Sequence, residues 1–124
     1  MVMTARRKIL VVEDQSEVRD IAVAALHDAN YLVLEAASAE SALPFLSEAS
    51  DIDLLFTDIV MPGKLDGFDL ARQARSLQPA LRILFTSGYA VELSSEAMAE
   101  GAFLRKPYRP VQLCEEVARL LSAA

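Results

Sequence analysis

Short, unbroken apolar runs recur along this chain, each followed by a stretch with helical periodicity, and this alternation narrows the possible folds more than any other feature. Ile9-Leu10-Val11-Val12 and Leu54-Leu55-Phe56-Thr57 are the clearest runs. A strand with one face in water alternates apolar and polar residues; a strand covered on both faces does not. The spacing predicts strands over 8–12, 31–35, 53–57, 81–86 and 102–105. It predicts helices over 15–28, 38–49, 68–77, 94–100 and 110–122. Val18, Ile21, Ala22, Ala25 and Leu26 share one face of the first helix, and Phe68, Leu70, Ala71, Ala74 and Leu77 one face of the third. Ser38 is placed to cap the second helix, and Pro44 is expected to bend it or shift its start. Gly101 ends a short fourth helix, and Pro110 suits the first turn of the last. The fold class is therefore α/β: a (βα)5 doubly wound, parallel five-stranded sheet with right-handed crossovers.

The chain has 124 residues, enough for one domain with a real core. Its 53% hydrophobic content excludes a disordered chain, and a net charge of −6 disfavours nonspecific nucleic-acid binding. Arg6-Arg7-Lys8 reads as a solvated flank. The single cysteine, Cys114, lies in an apolar stripe with Val111, Val117 and Leu121 and reads as a small core residue. His27 near a helix end reads as a surface or capping group, because one histidine makes no metal cluster. The start carries no signal-type apolar region, and no apolar stretch reaches membrane-spanning length. A reducing cytoplasm fits these features.

Polar residues gather where the strands end. Glu13 and Asp14 follow the first strand, Asp58 the third, Thr86 closes the fourth, and Lys106 follows the fifth just before Pro107. In parallel sheets the carboxyl ends of the strands form the functional edge. Two strand orders are reasonable. The order 2-1-3-4-5 sets strands 1 and 3 side by side and unites Glu13, Asp14 and Asp58, so the acids themselves favour it. Crowded carboxylates repel one another and call for a cation, and hard oxygen ligands suit Mg²⁺. A carboxylate attacks a phosphoryl group only when the incoming charge is neutralised. A divalent cation on one side and an ammonium on the other would do this, with a hydroxyl bonding a phosphoryl oxygen. Taken singly, these residues have blander readings: Glu13 and Asp14 as helix caps, Thr86 as an ordinary strand residue, Phe103 as core.

Together they resemble the response-regulator receiver domain, the phosphoacceptor half of two-component signalling. Val11-Val12-Glu13-Asp14, Thr57-Asp58-Ile59-Val60-Met61-Pro62, Asp66-Gly67, Phe85-Thr86-Ser87-Gly88 and Arg105-Lys106-Pro107 carry the resemblance, in order, over nearly the whole chain. It implies a flavodoxin-like receiver fold over residues 1–124 with no output domain. It also implies a protein that catalyses only its own phosphorylation and dephosphorylation. Asp58 would accept a phosphoryl group from the phosphohistidine of a histidine kinase or a histidine phosphotransfer protein. Asp14, Asp58 and the backbone carbonyl of Val60 would hold Mg²⁺, with Glu13 acting through water or as a further acid. Lys106 would pair with Asp58 and then with its phosphate. Thr86 would move toward the phosphoryl oxygen, Phe103 stands at the rotating switch position, and the Lys106–Pro107 bond would be cis. Neither nucleic acid nor a membrane is an expected partner.

The chain departs from the commonest receiver pattern in three places. The loop from Met61-Pro62 to Asp66-Gly67 is one residue longer, Val60 is apolar where many receivers are polar, and Thr86-Ser87-Gly88-Tyr89 resembles a subgroup found both free-standing and fused to hybrid sensor kinases. The rival reading is a phosphohydrolase of the haloacid-dehalogenase type, which also uses an Asp nucleophile. That family needs its paired acids after an apolar strand, whereas Asp51 and Asp53 precede one. A flavin-binding module of like topology would need a Ser/Thr/Gly-rich phosphate loop after the first strand, where this chain has none.

Overall fold

The computed structural model describes residues 6–48, 51–88 and 101–122. In chain order the elements are β1 (Lys8–Val12), α1 (Ser16–Asp28), β2 (Leu32–Ala36), α2 (Ala39–Glu48), β3 (Leu54–Asp58), α3 (Gly67–Leu77), β4 (Arg82–Ser87), β5 (Ala102–Arg105) and α4 (Pro110–Ser122). The strands form one five-stranded sheet in the order β2-β1-β3-β4-β5. Every pairing is parallel, with Val12 beside Thr57 and Asp58 beside Thr86.

The unbroken apolar runs are explained by two cores, one on each face of the sheet. Side chains alternate across a strand. Leu10, Val12, Leu55, Ile83 and Phe85 therefore face α2 and α3. Ile9, Val11, Leu54, Phe56 and Leu84 face α1 and α4. The two edge strands, β2 and β5, are only partly covered.

Several boundaries differ from expectation by a residue. Gln15 precedes α1 as its cap position, and β2 begins at Leu32 because Tyr31 still bonds back to Leu26 of α1. Asp58 and Ser87 lie inside their strands, since the ladder between β3 and β4 runs on through Asp58 and Thr86. Ser38 caps α2 by accepting the Ser41 N–H at 3.1 Å. Pro44 sits within α2 without shifting its start. The expected helix over 94–100 lies outside the described residues.

The helix faces are narrower than the sequence suggests. Ile21 and Val111 are each 55% exposed and Leu77 is 50% exposed, although all three were expected on apolar faces. In α4 the covered line is Leu113, Val117 and Leu121, with Cys114 half-buried beside it. Val111 and Ile21 stand about 120° from the centre of the buried line on their helices, outside the strip that the sheet covers. The Cys114 thiol donates to the Ala25 carbonyl at 3.6 Å, and burial, then the charge of Asp28, push its pKa up. That fits a packing role and opposes a nucleophilic one. Among the described residues no helix is long and apolar enough to cross a membrane.

Candidate functional site

The site forms where β1 and β3 end side by side. The backbone N–H of Glu13 continues the ladder to the Ala36 carbonyl at 3.1 Å, which turns the Glu13 side chain into the molecule. Only 3% of Glu13 is exposed, whereas Asp14, one residue on, is exposed. Asp58, the last residue of β3, is 5% exposed. Ligand oxygens of Glu13, Asp14 and Asp58 lie within 4.8 Å of one another. The three acids united by the order 2-1-3-4-5 are thus adjacent in space.

Lys106 enters from β5. Its backbone N–H bonds to the Ser87 carbonyl at 3.1 Å, and the bond to Pro107 is cis. Its Nζ donates to Asp58 Oδ2 at 2.7 Å and stands 2.5 Å from Glu13 Oε1. The second contact is an ion pair without hydrogen-bond alignment, for among the described residues Glu13 Oε1 has no hydrogen-bond partner, while Oε2 accepts the Gln15 N–H at 3.2 Å.

The electrostatics follow from this packing. Burial pushes the Glu13 carboxyl up to about 7; Lys106 opposes that rise and the negative charge of Asp58 adds to it. Burial favours the neutral amine of Lys106, but the hydrogen bond to Asp58 and the close negative charge of Glu13 outweigh that and raise its pKa. Tyr108 packs edge-on against Phe56 with ring centroids 5.7 Å apart. Burial, then the charges of Glu13 and Asp58, push its hydroxyl's pKa up.

Thr86 lies beside Asp58 in the sheet, is 2% exposed, and its Oγ1 has no hydrogen-bond partner among the described residues. A buried hydroxyl left unpaired costs about 1–3 kcal/mol, and functional sites are where such groups persist. Phe103 pairs with Phe85 across β4 and β5, half-buried against the core beneath α2 and α3. Val60 is 46% exposed and lines, with Asp14, Asp58, Met61, Gly88 and Lys106, a cleft of about 520 Å³.

The loop after β3 is held at its root. The Ile59 N–H bonds to the Thr86 carbonyl at 2.9 Å, and the Gly67 N–H bonds to the Ile59 carbonyl at 2.8 Å. A Cβ on Gly67 would stand 2.2 Å from the Asp58 carbonyl oxygen, so only glycine lets α3 begin this close to the acidic residue. Two supporting residues escaped the sequence reading. Arg19 on α1 donates from Nη1 to the Glu13 carbonyl at 2.8 Å and from Nε to Glu35 Oε1 at 3.1 Å, fixing the turn that carries the acids. Glu40 on α2 accepts from the loop after β3. Neither belongs to a local pattern, so no sequence signal marked them.

Comparison with known proteins agrees with this geometry. The sequence profile of the response regulator receiver domain matches residues 9–118. The chain is 37% identical over 121 residues to the response regulator receiver protein CpdR of Brucella abortus (strain 2308), covering 95% of this chain and 99% of CpdR. It is 38% identical over 117 residues to the sensor kinase CckA of the same organism, covering 91% of this chain but 12% of that kinase. The crystal structure of the receiver domain of the hybrid histidine kinase CckA superposes with a TM-score of 0.81 at 38% identity, covering 93% of this chain and 99% of that one. A CheY-like receiver from Methanospirillum hungatei JF-1 gives a TM-score of 0.83 at 28% identity, over 94% of each chain. The chain belongs to the response-regulator receiver family and is a phosphorylation-switch domain of two-component signalling. The comparisons give the haloacid-dehalogenase reading no support.

Proposed function

We propose that this receiver takes a phosphoryl group from a phosphohistidine onto Asp58, acting as a switch or relay. The donor is a sensor histidine kinase or a histidine phosphotransfer protein, in the cytoplasm. The observation that carries the reading is the Lys106 ammonium 2.7 Å from the Asp58 carboxylate, both lining a cleft that Asp14 also lines. In the transfer an Asp58 oxygen bonds to phosphorus while the N–P bond of the donor breaks, and the electron pair returns to the imidazole. Lys106 is placed to offset the charge gathered on the phosphoryl oxygens.

The donor set fits Mg²⁺: carboxylate oxygens from Asp14 and Asp58, the Val60 carbonyl, and Glu13 behind them. Bound there, the cation would draw charge from the phosphoryl oxygens. Thr86, buried beside Asp58 with a hydroxyl unpaired among the described residues, would donate to a phosphoryl oxygen once one is present. Phe103 would follow that movement through β5, which pairs with the strand of Thr86 and ends one residue before Lys106.

Incubation with a small acyl phosphate and Mg²⁺, followed by mapping of the modified residue, tests the reading. Labelling at Asp58 is expected, with loss in Asp58→Asn. Undiminished labelling of that variant refutes the assignment. The same wild-type protein should gain about 1.4 kcal/mol of stability at Mg²⁺ ten times its dissociation constant, and Asp14→Ala should gain none.

A further inference from the structure

The loop joining β3 to α3 carries the Val60 carbonyl, and its middle is tied to a helix far away in sequence. Residues 60–65 leave the sheet between two fixed ends, the bond from Ile59 to Thr86 and the N-cap at Asp66. Between those ends, among the described residues, the hydrogen bonds to the loop come from one side chain. Glu40, in the first turn of α2, accepts the Lys64 N–H at 3.0 Å and the Leu65 N–H at 3.2 Å, both on Oε1. Gly63 makes room for it, with a φ of +107°, where an added Cβ would stand 2.9 Å from Glu40 Oε1. Neither alone would fix the loop: the glycine permits the turn, and the carboxylate holds it.

We infer that Glu40 is a positioning residue for the phosphorylation site, its carboxylate fixing the loop so that the Val60 carbonyl faces the acids at the strand ends. The inference rests on the proposed role of that carbonyl as a cation ligand. Both loop bonds fall on one oxygen, so a glutamine whose amide oxygen takes that place keeps them without the charge. The tether is separate from the acid cluster: Glu40 is not one of its three carboxylates and accepts from Lys64 and Leu65 instead.

The test uses the unphosphorylated chain, with Mg²⁺ titrated and the backbone amide signals of Val60, Met61 and Gly63 to Leu65 followed. Outer groups that orient a metal ligand change affinity by about 10–100-fold. Glu40→Ala should therefore weaken Mg²⁺ on the order of tenfold and slow phosphorylation by the acyl phosphate. Glu40→Gln should restore both, and Gly63→Ala, which displaces the carboxylate, should mimic Glu40→Ala. Amide exchange at Lys64 and Leu65 should quicken in Glu40→Ala alone of the two Glu40 variants. Wild-type Mg²⁺ affinity in Glu40→Ala, or a Glu40→Gln as weak as Glu40→Ala, overturns the inference. Mg²⁺ binding that survives Asp14→Ala would count against the underlying site instead, and the exchange rates would still decide the tether.

Discussion

Burial is what separates the two neighbouring acids, Glu13 and Asp14. The first turns inward to Lys106, and burial lifts its carboxyl to about 7; the second faces the cleft and solvent. Thr86 holds the complementary feature, a buried hydroxyl unpaired among the described residues. Its isostere tests that directly. Thr86→Val should raise the stability of the unphosphorylated protein by about 1 kcal/mol, read as a higher urea midpoint, because it deletes an unsatisfied group. A lower midpoint would mean that the hydroxyl is already bonded. The residue types at the strand ends were legible in sequence, and so was their gathering; the inward turn of Glu13 was not, because it depends on the β1–β2 ladder continuing one residue further.

Among the elements, α3 shows how local chemistry sets an edge of the site. Asp66 caps it by accepting the Asp69 N–H at 2.8 Å, and Asp69 accepts the Asp66 N–H in return at 3.0 Å. The Asp66 N–H holds the Asp69 carboxyl below its ordinary value, and the Arg72 guanidinium adds to that. A carboxyl lowered in the folded state contributes stability that is complete above its unfolded value, about 4, and is lost as pH falls through the folded value. Asp69→Ala should therefore cost up to about 1 kcal/mol at neutral pH, with the gap to wild type closing in acid. Denaturant titrations of both proteins at several pH values check it, and a gap independent of pH would contradict it. This boundary was nearly legible, since Asp66-Gly67 was read as the loop's end. The exposure of Ile21, Leu77 and Val111 was not, because helical period gives a face but not the width that a neighbouring sheet covers.

The whole molecule consists of two cores sharing one sheet, so adjacent residues of β3 serve opposite sides. Leu54 packs beneath α1 and α4, and Leu55 beneath α2 and α3. Each changed to Ala should cost about 2–5 kcal/mol. Unfolding should remain a single transition in both, because the strands between the cores are common to them. Far-ultraviolet circular dichroism and tyrosine fluorescence, followed together in urea, check this; two separated midpoints would show cores that melt independently.

Sequence alone determined the α/β class and the polar residues that follow the strands, and through the acids it favoured one of two reasonable strand orders. These follow from local facts: continuous apolar runs need cover on both faces, and parallel strands of one sheet present their ends at one edge. Tertiary structure decided which acid is buried, that Lys106 spans Glu13 and Asp58, and that Glu40 holds a loop beginning at Val60. Those contacts join residues far apart in the chain, and their distances exist only once both faces of the sheet have been packed.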